Sequence, residues 1–440
     1  MLSSHEADLV KREVAIPGLA TLLDPEAFAA TLQSFIPGAN RLVAHPSYIR
    51  YKPGMNCLIA YRVENDENRV SVYAKAHGHD APVKLRKATL AKTVPGQLGP
   101  GRIVLDDIGV VISFFPNDSN LKRLRRIAET EARHHLLKEF LPHVRDQLSA
   151  KMESLAYKPE RRYVAKVTTE SNSSTLLKFY TPQIFHTTQQ SAIAFTSHGF
   201  LRIPRCLGKS NRYSVIAFEW LEGRLLGEII NEGEPALKAV EETGAALAQL
   251  HAQDPDGLGL KTRETEAATI LEMANWLSFV HPPIAERAKQ LAKRLASWLQ
   301  TETQVQKPIH GDFYAKQVLW SEGCARVVDL DEAVRGDPRF DLCLFVARLE
   351  QDAIRGKLSA ESAPALKHAL LDGYMQAGGQ PSLRDMDWYT AVALFQLSHE
   401  PFRACEPGWI DCTEAILDRI ESILMKSELG KSRLIKTAKK

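Results

Sequence analysis

Residues Ile309–Trp320 read IHGDFYAKQVLW, and the chain continues from Val318 as VLWSEGCARVVDLDEAVRGDPRFDL. The apolar stretches Val318–Trp320 and Ala325–Leu330 predict two short strands around a Ser-Glu-Gly-Cys turn. A hairpin folded there sets Gln317 almost opposite Val328 and Asp329. Asp312 lies on the loop just before, so three oxygen-bearing side chains converge, with apolar residues on both strands to hold them. A hard cation bridging phosphate oxygens needs such a set of donors.

The rest of the chain gives this loop an ordinary soluble setting. Its 440 residues exceed one usual core and argue for two or three domains. With 44% hydrophobic and 25% charged residues the composition is that of a globular protein, not a disordered or fibrous one. The 56 basic and 53 acidic residues nearly balance at +3, which gives no electrostatic case for nucleic acid or anionic lipid. The opening MLSSHEADLVKREVAIPG has no apolar signal region and no run is long enough to span a bilayer, so a cytoplasmic protein is expected. Six cysteines, at 57, 206, 324, 343, 405 and 412, form no C-x-x-C pair and read as reduced core residues.

An internal echo organises the first half. YKPGMNCLIAYRV from Tyr51 returns as YKPERRYVAKV from Tyr157, and SVYAK up to Lys75 matches TLLKFY around Lys178. GVVISFFPND (Gly109–Asp118) likewise resembles YSVIAFEWLEG (Tyr213–Gly223) at nearly the same offset. Three matches in order predict two related β-rich modules in tandem, each built of antiparallel hairpins. Between them, Leu121, Leu124, Ile127, Leu136, Leu137, Phe140, Leu141, Val144 and Leu148 recur with a helical period. The basic face of that segment is interrupted by Glu129, Glu131 and Glu139 and reads as a solvated face. From about Gly223 the pattern is helical. The expected boundaries are a module over 1–120, a connecting helix over 121–150, a small β lobe over 151–222, a helical lobe over 223–428 and a frayed tail over 429–440.

Asp312 and Gln317 have the five-residue spacing of the aspartate and asparagine in kinase loops of the H-R-D-x-x-x-x-N type, with glutamine in the asparagine's position. HGDFYAKQVL, VVDLD and GDPRFDL, supported by ALAQLH before Ala252 and by EWLEG, resemble the aminoglycoside phosphotransferase family. The likeness extends more loosely to choline-kinase and maltokinase-like enzymes, and it spans roughly residues 151 to 420. It implies an α+β, protein-kinase-like fold of two lobes, a small antiparallel β lobe and a larger helical one, here preceded by a related N-terminal cap module. It implies Asp312 as catalytic base, Gln317 and Asp329 as Mg2+ ligands, and Asp337 and Asp341 as structural supports. ATP is expected between the lobes, with Lys178 on its phosphates and backbone groups of Phe218, Glu219, Trp220 and Leu221 facing adenine.

Two departures stand out. No acidic residue occurs from Phe179 through Ser210, so the glutamate that pairs with the lysine in this family is missing there, and Gln189 or Gln190 is the available stand-in. Gln317 resembles the maltokinase-like branch, since glutamine offers the same amide oxygen on a stem one methylene longer. The expected activity is phosphoryl transfer to a hydroxyl of a small molecule, a sugar or aminosugar-like compound, with neither nucleic acid nor membrane as partner. A nucleotide-binding pseudokinase that acts as a regulatory partner is the alternative. A protein acceptor is disfavoured because Asp329 runs within a few residues into GDPRFDL, leaving no activation segment. GKS at 208–210 is no P-loop, since Ile203 stands where a glycine is required. His310 reads as a residue that fixes backbone. An acceptor pocket on the helical lobe would lie near Trp276, His399, Glu400 and Arg403.

Overall fold

The structure is a computed structural model of the chain and describes residues 1–36, 41–66, 68–140, 151–303, 305–321, 323–380 and 385–437. Its contacts divide the chain into two compact units, one of Met1–Phe185, Leu207–Phe218 and Pro401–Pro407, the other of the remaining segments.

The first unit opens with helices α1 (Ser4–Arg12), α2 (Leu19–Leu23) and α3 (Pro25–Gln33). Ser3 and Glu6 form a reciprocal capping box on α1, and Asp24 caps α3 ahead of Pro25. A sheet follows, built of β1 (Val43–Lys52), β2 (Asn56–Glu64), β3 (Arg69–His77), β4 (Arg102–Leu105) and β5 (Val110–Phe114), with α4 (Ala81–Leu90) after β3. Its strand order is β1-β2-β3-β5-β4.

Beyond α5 (Leu124–Ile127) and α6 (Thr130–Phe140) come β6 (Lys151–Lys158), β7 (Arg162–Thr168), β8 (Ser174–Tyr180), α7 (Pro182–Ser191), β9 (Cys206–Ser210) and β10 (Val215–Glu219). The second sheet runs β6-β7-β8-β10-β9, the same order as the first. Lys75 pairs with Leu58 across β2–β3, and Lys178 pairs with Val164 across β7–β8. Counted from the shared Tyr-Lys-Pro, the two lysines hold the same topological position. Leu124, Ile127, Leu136, Leu137 and Phe140 pack with Tyr163, Ala165, Leu177 and Val215 of the second sheet. Among the described residues of the expected single connecting helix there are two helices, α5 and α6. Leu141, Val144 and Leu148 lie outside the described residues.

The second unit contains β11 (Arg224–Leu225), α8 (Leu226–Ile229), α9 (Glu234–His251), α10 (Arg263–Val280) and α11 (Ala285–Thr301). Next come β12 (Lys307–Ile309), β13 (Val318–Ser321), β14 (Cys324–Val327), β15 (Val334–Gly336), α12 (Pro338–Ile354), α13 (Ser362–Gln376) and α14 (Met386–Leu397). α15 (Glu400–Arg403) and α16 (Trp409–Thr437) complete the chain. One apolar core joins Leu247 and Leu250 of α9, Ile270 of α10, Leu295 of α11, Phe345 of α12, Phe395 of α14 and Ile420 of α16. Each such side chain, fully buried, contributes roughly 1.5–3 kcal/mol. α9 and α13 approach closely because a Cβ at Gly244 would meet the Leu370 carbonyl at 2.0 Å and one at Gly373 the Glu241 carbonyl at 1.8 Å.

α16 continues to Thr437, so the expected frayed tail is helical up to that residue. Propagation adds one hydrogen bond per residue to a helix already anchored by Ile416, Leu417, Ile420 and Leu424. Among the described residues no helix is long and apolar enough to cross a membrane. All six cysteines are free, but only Cys57 and Cys343 are buried; the other four are half-buried.

Candidate active site

The hairpin predicted after Gln317 forms in the second unit. Val318 pairs with Val327, and the Val328 N–H donates to the Gln317 carbonyl at 2.9 Å. The second strand is shorter than expected and ends at Val327 because Asp329 turns left-handed, at φ 64° and ψ 54°. Aspartate tolerates that region better than most residues, at a cost on the order of 1 kcal/mol. The reversal ends strand pairing and turns the chain into Leu330–Glu332. Gln317 is 7% exposed, and its N–H bonds the Tyr314 carbonyl.

The loop that carries Asp312 is clamped from below. Asp341, wholly buried on α12, accepts the His310 N–H at 2.6 Å and the Gly311 N–H at 2.9 Å. Its Oδ2 also meets His251 Nε2 at 3.0 Å, and His251 Nδ1 meets the Tyr374 hydroxyl at 2.9 Å. The close α9–α13 contact thus positions the His251–Tyr374 pair. Burial alone would raise the Asp341 carboxyl, but His251, His310 and the loop amides hold it below the usual carboxylate range. Gly311 has φ 83°, and a Cβ there would lie 2.2 Å from the Glu332 carbonyl, so only glycine fits between the clamp and the next turn.

His310 joins the loop to the hairpin. Its Nδ1 accepts the Asp312 N–H at 3.3 Å while its Nε2 lies 2.9 Å from the Val328 carbonyl, an arrangement that suits the Nε2–H tautomer. One buried imidazole therefore fixes the backbone at Asp312 and next to Asp329. Burial pushes the Asp312 carboxyl up, Arg348 and His310 oppose this, and the nearby charges of Asp329 and Glu400 add to it.

Asp337 caps α12 and closes a buried ionic cluster. Its carboxylate takes Arg263 at 2.6 Å, Arg339 at 2.7 Å and the Tyr389 hydroxyl at 3.0 Å, while Arg263 also bonds Glu266 at 2.8 Å. Of the acceptor-pocket residues considered from the sequence, Glu400 pairs with Arg348 and stands near Asp312. His399 and Trp276 meet edge to face at 6.0 Å, and Arg403 belongs to the first unit, where it bonds the Tyr48 hydroxyl at 3.1 Å.

Sequence reasoning did not find Arg348, whose guanidinium lies 4.5 Å over the Tyr314 ring. It also missed Lys261, whose ammonium stands 3.1 Å from the centroid of the Phe340 ring. Burial pulls Lys261 down to about 8, against the pull of Glu266, Asp341, Asp312 and Glu332.

In the first unit Lys178 is 5% exposed, with its ammonium 5.6 Å from the centroid of the Phe218 ring. Lys75 instead donates to Glu160 at 2.8 Å, a carboxylate that also takes Arg50 at 2.5 Å. Glu219, Trp220 and Leu221 belong to the second unit, where the Glu219 N–H bonds the Arg205 carbonyl at 2.9 Å.

Gln317 and Asp329, at the ends of the hairpin's two strands, would offer a Mg2+ ion one amide oxygen and one carboxylate. Among the described residues no group of three or more His, Cys, Asp or Glu forms a cage for a metal. Mg2+ takes one or two protein oxygens and fills its octahedron with water and substrate phosphates, which suits one carboxylate and one amide.

A fold of two antiparallel five-stranded sheets and a helical region, with a clamped His-Gly-Asp loop, defines the class as phosphotransferase. The model of the phosphotransferase enzyme family matches residues 160–386, more than half of the chain, and the chain belongs to that family. No curated protein matches it in sequence. Among solved structures it is similar to a thermostable mutant of aminoglycoside phosphotransferase APH(4)-Ia in its apo form, at 18% identity and TM-score 0.48, covering 67% of this chain and 98% of that one. It is also similar to choline kinase from Cryptosporidium parvum, at 12% identity and TM-score 0.46, covering 70% and 97%. A third is a protein from Thermobifida fusca assigned as a fructosamine-3-kinase, at 16% identity and TM-score 0.44, covering 66% and 99%.

Proposed function

We propose that the chain is an ATP- and Mg2+-dependent kinase that phosphorylates a hydroxyl of a small molecule, a sugar or aminosugar-like compound. The observation that carries this reading is the buried Asp341 clamp, which together with His310 fixes Asp312 beside the Gln317–Asp329 hairpin. Phosphoryl transfer asks for position and charge neutralisation rather than covalent help, and a loop held by four buried groups supplies position.

In this reading Asp312 accepts the hydroxyl proton of the acceptor and aligns its oxygen. Burial, which raises its carboxyl, makes it a better base than a solvated aspartate. Gln317 and Asp329 hold Mg2+, which when bound neutralises phosphate charge. Lys178 contacts the phosphates, and Phe218, Glu219, Trp220 and Leu221 offer backbone groups to adenine. The first β module, residues 1–120, braces the ATP-binding sheet; the bonds from Lys75 and Arg50 to Glu160 and from the Tyr157 hydroxyl to Asp118, at 2.8 Å, support that role.

The test is calorimetric and kinetic screening of sugars, aminosugars and amino alcohols with ATP and Mg2+. Phosphorylation of one of them, with ADP released in equal amount, is the expected result. Metal-independent ATP binding with no turnover on any acceptor favours the pseudokinase instead.

A further inference from the structure

The first β module carries a cavity of its own. It encloses about 260 Å3, and its walls include Lys75 of β3, Lys84 and Lys87 of α4, Arg102 of β4, and Lys122 and Arg125 before and within α5. Lys92 adds a seventh cation, against two carboxylates, Asp118 and Glu160.

Both carboxylates are already committed. Glu160 is shared by Arg50 and Lys75. Asp118 accepts three backbone N–H groups, from Asn120, Leu121 and Glu160, each at 2.7 Å, and the Tyr157 hydroxyl at 2.8 Å. Lys84 has Asp80 at 3.5 Å. Among the described residues Lys87, Lys92, Arg102, Lys122 and Arg125 have no carboxylate within ion-pair distance, although the charge of Asp118 acts on Arg102. Arg102, half-buried, gives its guanidinium to neutral groups only, Ser113 Oγ at 3.3 Å and the Ala88 carbonyl at 3.1 Å. Arg125 donates to the Lys92 carbonyl, which ties two of the cations together.

A concave wall with five unneutralised cations focuses positive potential on its interior, and like charges held this close repel unless an anion joins them. A fold built only to brace a neighbouring sheet has no need of such a concentration. We propose that this cavity is a second ligand site, separate from the ATP site, that takes a small phosphate dianion: a phosphate monoester or free (pyro)phosphate. Guanidinium and ammonium groups on several sides match the charge and the three outer oxygens of such a group. The volume admits a compact phosphorylated compound rather than a polymer.

The experiment is isothermal titration of the full chain with inorganic phosphate, with pyrophosphate and with glycerol phosphate. It compares wild type, Arg102→Gln, the double variant Lys87→Gln/Lys92→Gln, and Lys178→Ala. Lys87 and Lys92 are exposed, so the double variant keeps the fold if Arg102→Gln does not, and thermal melting checks both. The expected result is saturable 1:1 binding of at least one probe that weakens tenfold or more in the 87/92 variant and is unchanged in Lys178→Ala. A preference for glycerol phosphate identifies a monoester as the ligand, and a preference for pyrophosphate or phosphate identifies the free ion. Absence of saturable binding, equal affinity in the 87/92 variant, or loss in Lys178→Ala overturns the proposal.

Discussion

Lys75 and Lys178 occupy the same position in two sheets of identical strand order, yet only Lys75 has its ammonium on Glu160, 2.8 Å away. The two modules thus differ in use at this position: Lys75 is held in an ion pair, and Lys178 is the lysine proposed for the phosphates of ATP. The Lys75 charge is spent inside its unit on a carboxylate it shares with Arg50.

The first prediction follows from that difference. Lys178→Ala weakens ATP binding at least tenfold in fluorescence or calorimetric titration, whereas Lys75→Ala leaves it within about twofold, because a lost charge-assisted contact is a matter of roughly 1.5–3 kcal/mol. Equal losses, or the reverse order, would assign nucleotide to the other module.

Magnesium titrations test the hairpin. Gln317→Asn keeps partial turnover with a higher magnesium requirement, since the shorter stem reaches the ion less well. Gln317→Ala loses far more because water replaces a preorganised oxygen. Asp329→Ala is the most severe, as it removes charge as well as an oxygen. Unchanged magnesium dependence in Gln317→Ala would make the glutamine a structural residue.

Acid should unfold the second unit partly through Asp337. Burial pushes its carboxyl up, but Arg339 and Arg263 outweigh this and hold it below its ordinary value. A depressed folded pKa gives stability that is complete above the unfolded value, about 3.9, and is lost as pH falls through the lower folded value. Asp337→Asn leaves two buried guanidiniums without their carboxylate and costs about 3–5 kcal/mol at neutral pH. In guanidinium melts at pH 7, 4 and 3, the gap between wild type and variant narrows only below about pH 4. A gap that is constant down to pH 3 would mean the cluster stays ionised throughout.

Much of this was legible in the sequence because it is local. The hairpin from Val318 needs only a turn and two short apolar runs, and the two sheets declare themselves through the repeated Tyr-Lys-Pro. The early end of β14 was not legible, because nothing in VVDLD marks Asp329 as left-handed. The clamp and the ionic cluster join residues far apart: His251 and Asp341 are separated by 90 positions, Arg263 and Asp337 by 74, and Lys75 and Glu160 by 85. Such pairs leave no period to read. Lys261 and Arg348 drew no reading from the sequence because their meaning comes from the aromatic rings beside them, Phe340 and Tyr314. The basic run at 122–126 was read as solvated, whereas Lys122 and Arg125 line the cavity of the first module.

The most direct test of the central claim is the pair of constants, ATP affinity and turnover on a hydroxyl acceptor that the wild type phosphorylates, for Asp312→Asn. A base that acts chiefly in the transition state contributes to turnover and little to ground-state binding. The variant should therefore bind ATP within about twofold of wild type and turn over roughly 10²–10⁴-fold more slowly. Wild-type turnover in Asp312→Asn, or a loss of ATP affinity as large as the loss of turnover, would contradict the assignment of Asp312 as the base.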